Sequence, residues 1–355
     1  MIKKSKHIEI VRSATKGLSS MSQVSCGAIF DVLSKHFSEV GVTVINNVAD
    51  LEVLVAGKPD LVFLGMEFIP GDPLLGLADP NKIWLSDVFD DHDIAYTGSN
   101  RAAHELGRNK PMAKQRVLDT NFNTSTFCVI EQGQLMSKDD VPMSFPLFVK
   151  PTNRGGGLGI DSKSVVHNFV QLLSKVRSIH NVLSSDALIE EYLPGREFSV
   201  AILKEEFSEE HLVMPIELVA PADKSGNRLL SSQIKSANAE QALAVSDPVM
   251  MSKIITLALN VFNALGARDY GRVDIRLDAT GTPHFLEANL IPSLISGYGS
   301  FPKACVLNSS LEYAPMIMQI TNLGLARNIG DAETILEPVK TKSVYSTKEV
   351  AFGQA

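Results

Sequence analysis

Two neighbouring stretches of the chain alternate strictly between polar and apolar residues. Arg272, Asp274 and Arg276 alternate with Val273, Ile275 and Leu277; a little further on, Glu287 and Asn289 alternate with Leu286 and Ala288. A period of two is the signature of a strand, so two strands joined by a turn over 278–282 are predicted. Arg272, Asp274 and Arg276 then share one face of the first strand, and Glu287 and Asn289 one face of the second. Pairing the strands brings together two carboxylates, a carboxamide and a guanidinium. Oxygen ligands of this kind suit Mg²⁺, and an arginine beside them suits phosphoryl transfer. The same alternation also suits a solvated hairpin face, so the rest of the chain has to decide.

Upstream, strands are predicted over 7–11, 42–45, 59–65 and 94–99, with a helix over 24–37 carrying Ile29, Phe30, Leu33 and Phe37 at helical spacing. Strands alternating with helices predict a parallel α/β unit, whose ligands bind beyond the carboxyl ends of the strands. The loops after Val11 and Gly65 are therefore candidate site segments. A helix over 100–118 opens a second unit, with strands over 125–130, 145–149, 186–193 and 197–203 and a helix over 165–176. The polar stretch 220–240 reads as a long mobile loop, and a helix over 248–265 precedes the alternating hairpin. This divides the chain into an N-terminal unit (1–105), a central unit (106–203), a C-terminal unit with the hairpin (204–327) and a tail (328–355). No internal repeat is visible.

Composition narrows the function. The 355 residues carry 33 Lys and Arg against 40 Asp and Glu, a net charge of −7, which argues against nucleic acid or an anionic membrane as partner. No apolar segment approaches the ~20 residues that span a bilayer, and the N-terminus lacks a secretory signal. Cys26, Cys128 and Cys305 are widely spaced without a CxxC, which fits reduced thiols in a cytoplasmic protein.

Further candidate chemistry lies in Asn153-Arg-Gly-Gly-Gly-Leu-Gly159. Clustered glycines expose backbone N–H groups and let a loop close over phosphates, although a plain surface turn reads the same way. A dinucleotide fingerprint is excluded because Ile160 stands where the third glycine belongs. A P-loop is excluded because no Lys-Ser/Thr pair follows. The loop lies between two strand-like segments, as a hairpin flap would. Lys150 ends the strand leading into it, and Lys110 opens the same unit. Two lysines with a glycine flap would neutralise a triphosphate.

Taken in order, these motifs resemble those of the ATP-grasp carboxylate–amine ligases, and within that group they are similar to the D-alanine–D-alanine ligases. The resemblance runs over residues 8–321. It is carried by Tyr96-Thr-Gly-Ser99, Gly107-Arg-Asn-Lys110, Phe148-Val-Lys-Pro151, the Gly155 to Gly159 flap, Leu188-Ile-Glu-Glu-Tyr-Leu193, Glu197-Phe-Ser-Val-Ala201, Gly271-Arg-Val-Asp274 and Leu286-Glu-Ala-Asn289. It implies an α/β (α+β) ATP-grasp fold of three domains, the first a parallel α/β domain on the substrate side. It implies that Lys110 and Lys150 hold ATP phosphates, that Glu190, Tyr192, the backbone at Leu193 and Phe285 meet adenine, and that Glu197 meets the ribose. Asp274, Glu287 and Asn289 would bind two Mg²⁺ ions, and Mn²⁺ suits the same ligands. Arg272 and the N–H groups of Gly156 and Gly157 would stabilise an acyl phosphate and its tetrahedral adduct. Lys235 would reach the γ-phosphate from the mobile loop. The resemblance also implies small amino-acid or carboxylic-acid substrates and a homodimer.

The nucleotide half matches this family and the amino-acid half departs from it. Gln23 stands where the D-alanine ligases carry a glutamate for the donor ammonium, and Glu67-Phe68 replaces their His-Gly. Ser236 replaces a tyrosine and Gly156 a serine. After Asn289 the chain reads Ile291-Pro-Ser293, then Gly297-Tyr298-Gly299, in place of Ser-Pro-Gly and a Ser-Leu pair. Arg154, Arg196 and Arg276 are added cations near the site, and alternation points Arg276 toward the metals. The expectation is a ligase of secondary metabolism with an altered acyl donor, amine acceptor or both. A true D-alanine–D-alanine ligase and an ATP-binding regulatory protein are the competing readings.

Overall fold

The structure is a computed structural model that describes residues 3–327, apart from Lys16, Pro73 and Ser225. The tail read over 328–355 lies outside the described residues. Three main sheets organise the chain. The first is parallel, in the order Phe37–Val44, Lys4–Arg12, Leu61–Leu64. Its first strand alternates so that Ile8 and Ile10 pack under the helix Gln23–His36, through Ile29 and Leu33. The helix Tyr313–Ala326 joins the same core through Ile317 and Ile320, so the two ends of the described chain close one hydrophobic cluster.

The second sheet pairs Leu147–Pro151 with Val165–Val166 and with Ala187–Glu191, which in turn pairs Phe127–Ile130, all antiparallel. The glycine loop connects Leu147–Pro151 to Val165–Val166 and is a hairpin flap. The third sheet is antiparallel, in the order Gln241–Ala244, His211–Val219, Glu197–Lys204, Tyr270–Leu277, Pro283–Asn289. Phe198, Val200, Ile202, Val273 and Ile275 face the helix Pro248–Ala264 and bury against its Ile254, Leu257 and Val261. The other face of these strands is divided: Glu197, Arg272, Asp274 and Arg276 line the central site, while Ala201, Leu203 and Tyr270 bury in the same cluster as Ile317 and Ile320. Among the described residues no helix is long and apolar enough to cross a membrane.

Several elements differ from the sequence pattern for local reasons. The helix expected over 100–118 is two helices, Arg101–Arg108 and Lys110–Asp119. Pro111 lacks an N–H and clashes with the preceding turn, so it cannot sit in a helix interior. Asn109 instead caps a new helix, its side chain accepting from the Met112 N–H at 3.2 Å, and Lys110 becomes the first residue. The strand expected over 94–99 is a single bridge between Tyr96 and Val62. The Thr97 hydroxyl takes a backbone position there, accepting from the Leu64 N–H at 3.0 Å. The helix expected over 165–176 starts later, as Phe169–Leu183, because Asn168 caps it and Val165–Val166 joins the flap hairpin. The stretch 220–240 contains a short helix, Ser232–Ser236, and buries Leu229 and Leu230.

Candidate active site

The predicted hairpin forms with Arg272 opposite Asn289 and Asp274 opposite Glu287. The neighbouring strand sets Ser199 beside Asp274 and Glu197 beside Arg276. Hydrogen bonds follow this register: Ser199 Oγ donates to Asp274 Oδ1 at 2.8 Å, and Arg272 grips both Asp274 oxygens, Nε to Oδ1 at 3.0 Å and Nη2 to Oδ2 at 2.9 Å. Glu287 lies 3.4 Å from Lys110 Nζ, whose other partner is the Arg154 carbonyl at 2.6 Å. Burial alone would raise the Glu287 pKa. Lys110, Lys150, Lys235 and Arg272 outweigh burial and hold its carboxyl well below the usual range. Among the described residues no three His, Cys, Asp or Glu side chains gather. The set here is two carboxylates and a carboxamide, an oxygen-only set that fits Mg²⁺ sharing its shell with water and phosphate.

A narrow pocket opens on one side of this junction, lined by Phe148, Lys150, Glu190, Tyr192, Leu193 and Glu197 and closed by Leu229 and Leu230. Glu190 is only 2% exposed and lies between two buried ammoniums, Lys114 Nζ at 2.5 Å and Lys150 Nζ at 2.8 Å. Desolvation pushes the Glu190 pKa up, but the two lysines reverse that and bring it down to about 2. Lys114 is fully enclosed; desolvation lowers its pKa to about 8 although Glu190 opposes this. It also donates to Thr124 Oγ1 at 2.7 Å, Ser125 Oγ at 3.0 Å and the Phe285 carbonyl at 3.3 Å, joining the second sheet to the third. The sequence reading missed Lys114. Its signal is spacing: it follows Lys110 by four residues, one turn of the same helix.

Two candidate residues sit elsewhere than the pattern suggested. Phe285 is fully buried in the core beneath the third sheet, and Leu286 lines the pocket instead. A bulge between Asp274 and Ile275 is the cause: Asp274 pairs Glu287 but Ile275 pairs Phe285, so the extra residue reverses the alternation. Arg276 faces the narrow pocket and binds Glu197 Oε2 at 2.8 Å, rather than joining the metal-ligand set. Arg196, for its part, is engaged with Glu217 at 2.5 Å.

A larger cleft of about 450 Å³ opens on the other side of the junction. Lys235, Asp274 and Glu287 line both spaces. Lys110, Arg272, Asn289, Ser293 and Tyr298 also line the cleft, with Gly155 and Gly156 of the flap. Gly157 and Gly159 brace the flap from behind. Gly157 has φ +75, and a Cβ there would meet the Ser232 backbone N at 2.7 Å, so only glycine lets the flap touch the loop carrying Lys235. That loop is fixed on its far side by Tyr298, whose hydroxyl donates to the Lys235 carbonyl.

Residues 1–105 contribute Ser19, Ser20, Glu67 and His104 to the cleft, and Arg108 joins them from the end of the helix Arg101–Arg108. Gln23 is not among the lining residues and is exposed. Ser22 caps the helix Gln23–His36, accepting from the Ser25 N–H at 3.1 Å, which leaves Gln23 on the outer first turn. Glu67 lies in the cleft wall with Arg108 Nη1 at 3.0 Å and His104 Nδ1 at 3.4 Å. Burial would raise its pKa, but Arg108 and His104 outweigh burial and keep it lowered. Ser300, also missed, is the first residue of the helix Ser300–Ser309 and lies 3.5 Å from Arg272 Nη1.

Residues 119–322 match the family model described as the D-ala D-ala ligase C-terminus. A Sinorhizobium fredii protein named y4sG is 31% identical over 242 residues, covering 67% of this chain and 68% of its own. The D-alanine–D-alanine ligase of Lacticaseibacillus casei is 26% identical over 243 residues, covering 66% of this chain and 62% of its own. The crystal structure of D-alanine–D-alanine ligase from Bacillus anthracis complexed with ATP superposes with a TM-score of 0.71 at 18% identity, over 92% of this chain and 100% of that one. At that identity the likeness shows the fold, which is ATP-grasp.

Proposed function

The chain belongs to the D-alanine–D-alanine ligase family, and from that premise we propose that it joins a carboxylate to an amino-acid amine at the expense of ATP. The observation that carries this reading is the meeting of two cavities at Lys235, Asp274 and Glu287. ATP in the narrow pocket would present its terminal phosphate there, and the carboxylate would approach from the larger cleft. A carboxylate oxygen attacks the γ-phosphorus and ADP leaves. The amine nitrogen then attacks the acyl carbon, phosphate leaves, and the amine gives up its protons to form the amide.

The protein's part is positioning and charge neutralisation. Lys110 and Lys150 are buried cations that would meet the phosphates. Arg272, beside Ser300, would offset the charge that builds on the tetrahedral adduct. Asp274, Glu287 and Asn289 would hold divalent metal, which when bound neutralises phosphate oxygens. The glycine flap and the loop over Leu229 and Leu230 exclude water, which would otherwise hydrolyse the acyl phosphate.

The finer proposal concerns the donor. Gln23 lies outside the cleft, and the acid that the N-terminal unit does place there, Glu67, is already paired with Arg108 Nη1 at 3.0 Å. On that side a donor ammonium would have to compete with Arg108 for Glu67; besides Asp274 and Glu287, the remaining acid in the cleft lining is Glu240, on the loop carrying Lys235. This supports a donor other than D-alanine, with a neutral or acidic group facing Arg108. ADP release with Mg-ATP should be measured across D- and L-amino acids and simple carboxylic acids, singly and in pairs, with product masses. An amide product from another pair is expected. A D-alanyl-D-alanine product would return the chain to peptidoglycan synthesis. Tight Mg-ATP binding without any ADP release across the panel would favour a regulatory protein.

A further inference from the structure

Arg276 shares a strand face with Arg272 and Asp274, yet its contacts all lie at the nucleotide end of the site. It is 7% exposed. Its Nη1 donates to Glu197 Oε2 at 2.8 Å, its Nη2 donates to the Arg228 carbonyl at 3.1 Å, and its guanidinium lies 5.6 Å from the centre of the Tyr192 ring. Its buried Nε has no hydrogen-bond partner. One side chain thus ties the strand Glu197–Lys204, the residue Tyr192 and the loop carrying Lys235 around a single pocket.

The fork geometry matters because a guanidinium fixes a carboxylate in direction as well as charge. The ion pair engages Oε2 of Glu197, and the residue lines the pocket, so its other oxygen is free to accept from a hydroxyl. We propose that Arg276 is a positioning residue that aims the Glu197 carboxylate at the ribose hydroxyls of the nucleotide. The inference rests on the reading of the narrow pocket as the nucleotide site with Glu197 at the ribose. A neutral side chain at 276 would leave Glu197 without its partner and free to turn.

The test is binding of Mg-ATP, Mg-2′-deoxy-ATP and Mg-3′-deoxy-ATP to the full chain by calorimetry, without amino-acid substrate. Wild type should prefer ATP over at least one deoxynucleotide by about tenfold or more, the scale of a hydrogen bond to a charged group. Arg276→Met should bind ATP more weakly and bring that ratio near one, while Arg276→Lys restores part of it. An Arg276→Met protein that is folded by circular dichroism and keeps the wild-type ratio overturns the proposal and leaves Arg276 a structural ion pair. If Arg276→Met does not fold, Arg276→Lys decides: a ratio cut about threefold or more supports the proposal, and an unchanged ratio overturns it. Failure of the underlying reading looks different. Wild type, and Glu197→Gln with it, would then bind all three nucleotides equally.

Discussion

The two ends of the site are built in different ways. At the narrow pocket the buried charged groups are held by partners set by strand register or helical spacing: Glu190 between Lys114 and Lys150, Glu197 against Arg276, Asp274 in the grip of Arg272. At the amino-acid end the walls come from loops and from a separate unit, and the pairing of Glu67 with Arg108 spans 41 residues of sequence. A buried ionised group that loses its partner is costly, so the first end has little freedom to change. Loop side chains facing a cleft of about 450 Å³ can be exchanged with little effect on folding, and so can carry a new specificity.

The largest effects should come from breaking the junction shared by both ends. Arg272→Met, or Glu287→Gln, should lower kcat for ADP release by about a hundredfold or more, the scale of losing one preorganised charge at a reacting centre. A loss below threefold in either would separate these residues from the chemistry. Next comes Lys114→Met. Glu190 would keep Lys150 but lose its second buried cation, and unfolding in urea should show about 3–5 kcal/mol of lost stability. An unchanged midpoint would mean the Lys114 cluster is not what holds the two sheets together.

A pH series sharpens the same contrast. The folded Glu190 pKa is depressed, to about 2 from an ordinary 4.5. Its contribution to stability is therefore present above 4.5 and lost as pH falls from 4.5 toward 2, because the unfolded chain takes up the proton first. Glu190→Gln should flatten the pH dependence of stability in that window. A curve parallel to wild type there would contradict the buried triad.

Smaller effects belong to the parts that close the site. Gly157→Ala forces a side chain against the Ser232 backbone at positive φ and should reduce kcat by about tenfold to a hundredfold through misplacement of the flap. Tyr298→Phe removes one hydrogen bond to the Lys235 carbonyl and should reduce kcat by about fivefold, the equivalent of roughly 1 kcal/mol. If Tyr298→Phe proved as damaging as Arg272→Met, the loop would belong with the charged core of the site.

Legibility in the sequence follows the same division. Period-two alternation made the hairpin and its facing carboxylates readable, because Glu197–Lys204 keeps register with Tyr270–Leu277 throughout and Pro283–Asn289 keeps it over Arg272 to Asp274. Phe285, which the resemblance put at the adenine, is buried in the core instead, because a bulge leaves no mark in a hydrophobic pattern. Lys114 was readable from its spacing to Lys110 but is hidden among ordinary helix lysines. The end of the first helix at Asn109 was also announced, by Pro111. Gln23 could not be placed from sequence, since its direction depends on Ser22 acting as the cap. Nor could Arg108 be matched with Glu67, because only the folded chain brings the first sheet to the start of the second unit.

The most direct test of the proposed change at the donor end is steady-state ADP release with saturating Mg-ATP and D-alanine alone. Release no faster than the background without amino acid is expected, while Mg-ATP itself binds. Sustained turnover with D-alanyl-D-alanine as the product would contradict it, and would mean that the pairing of Glu67 with Arg108 leaves D-alanine recognition intact.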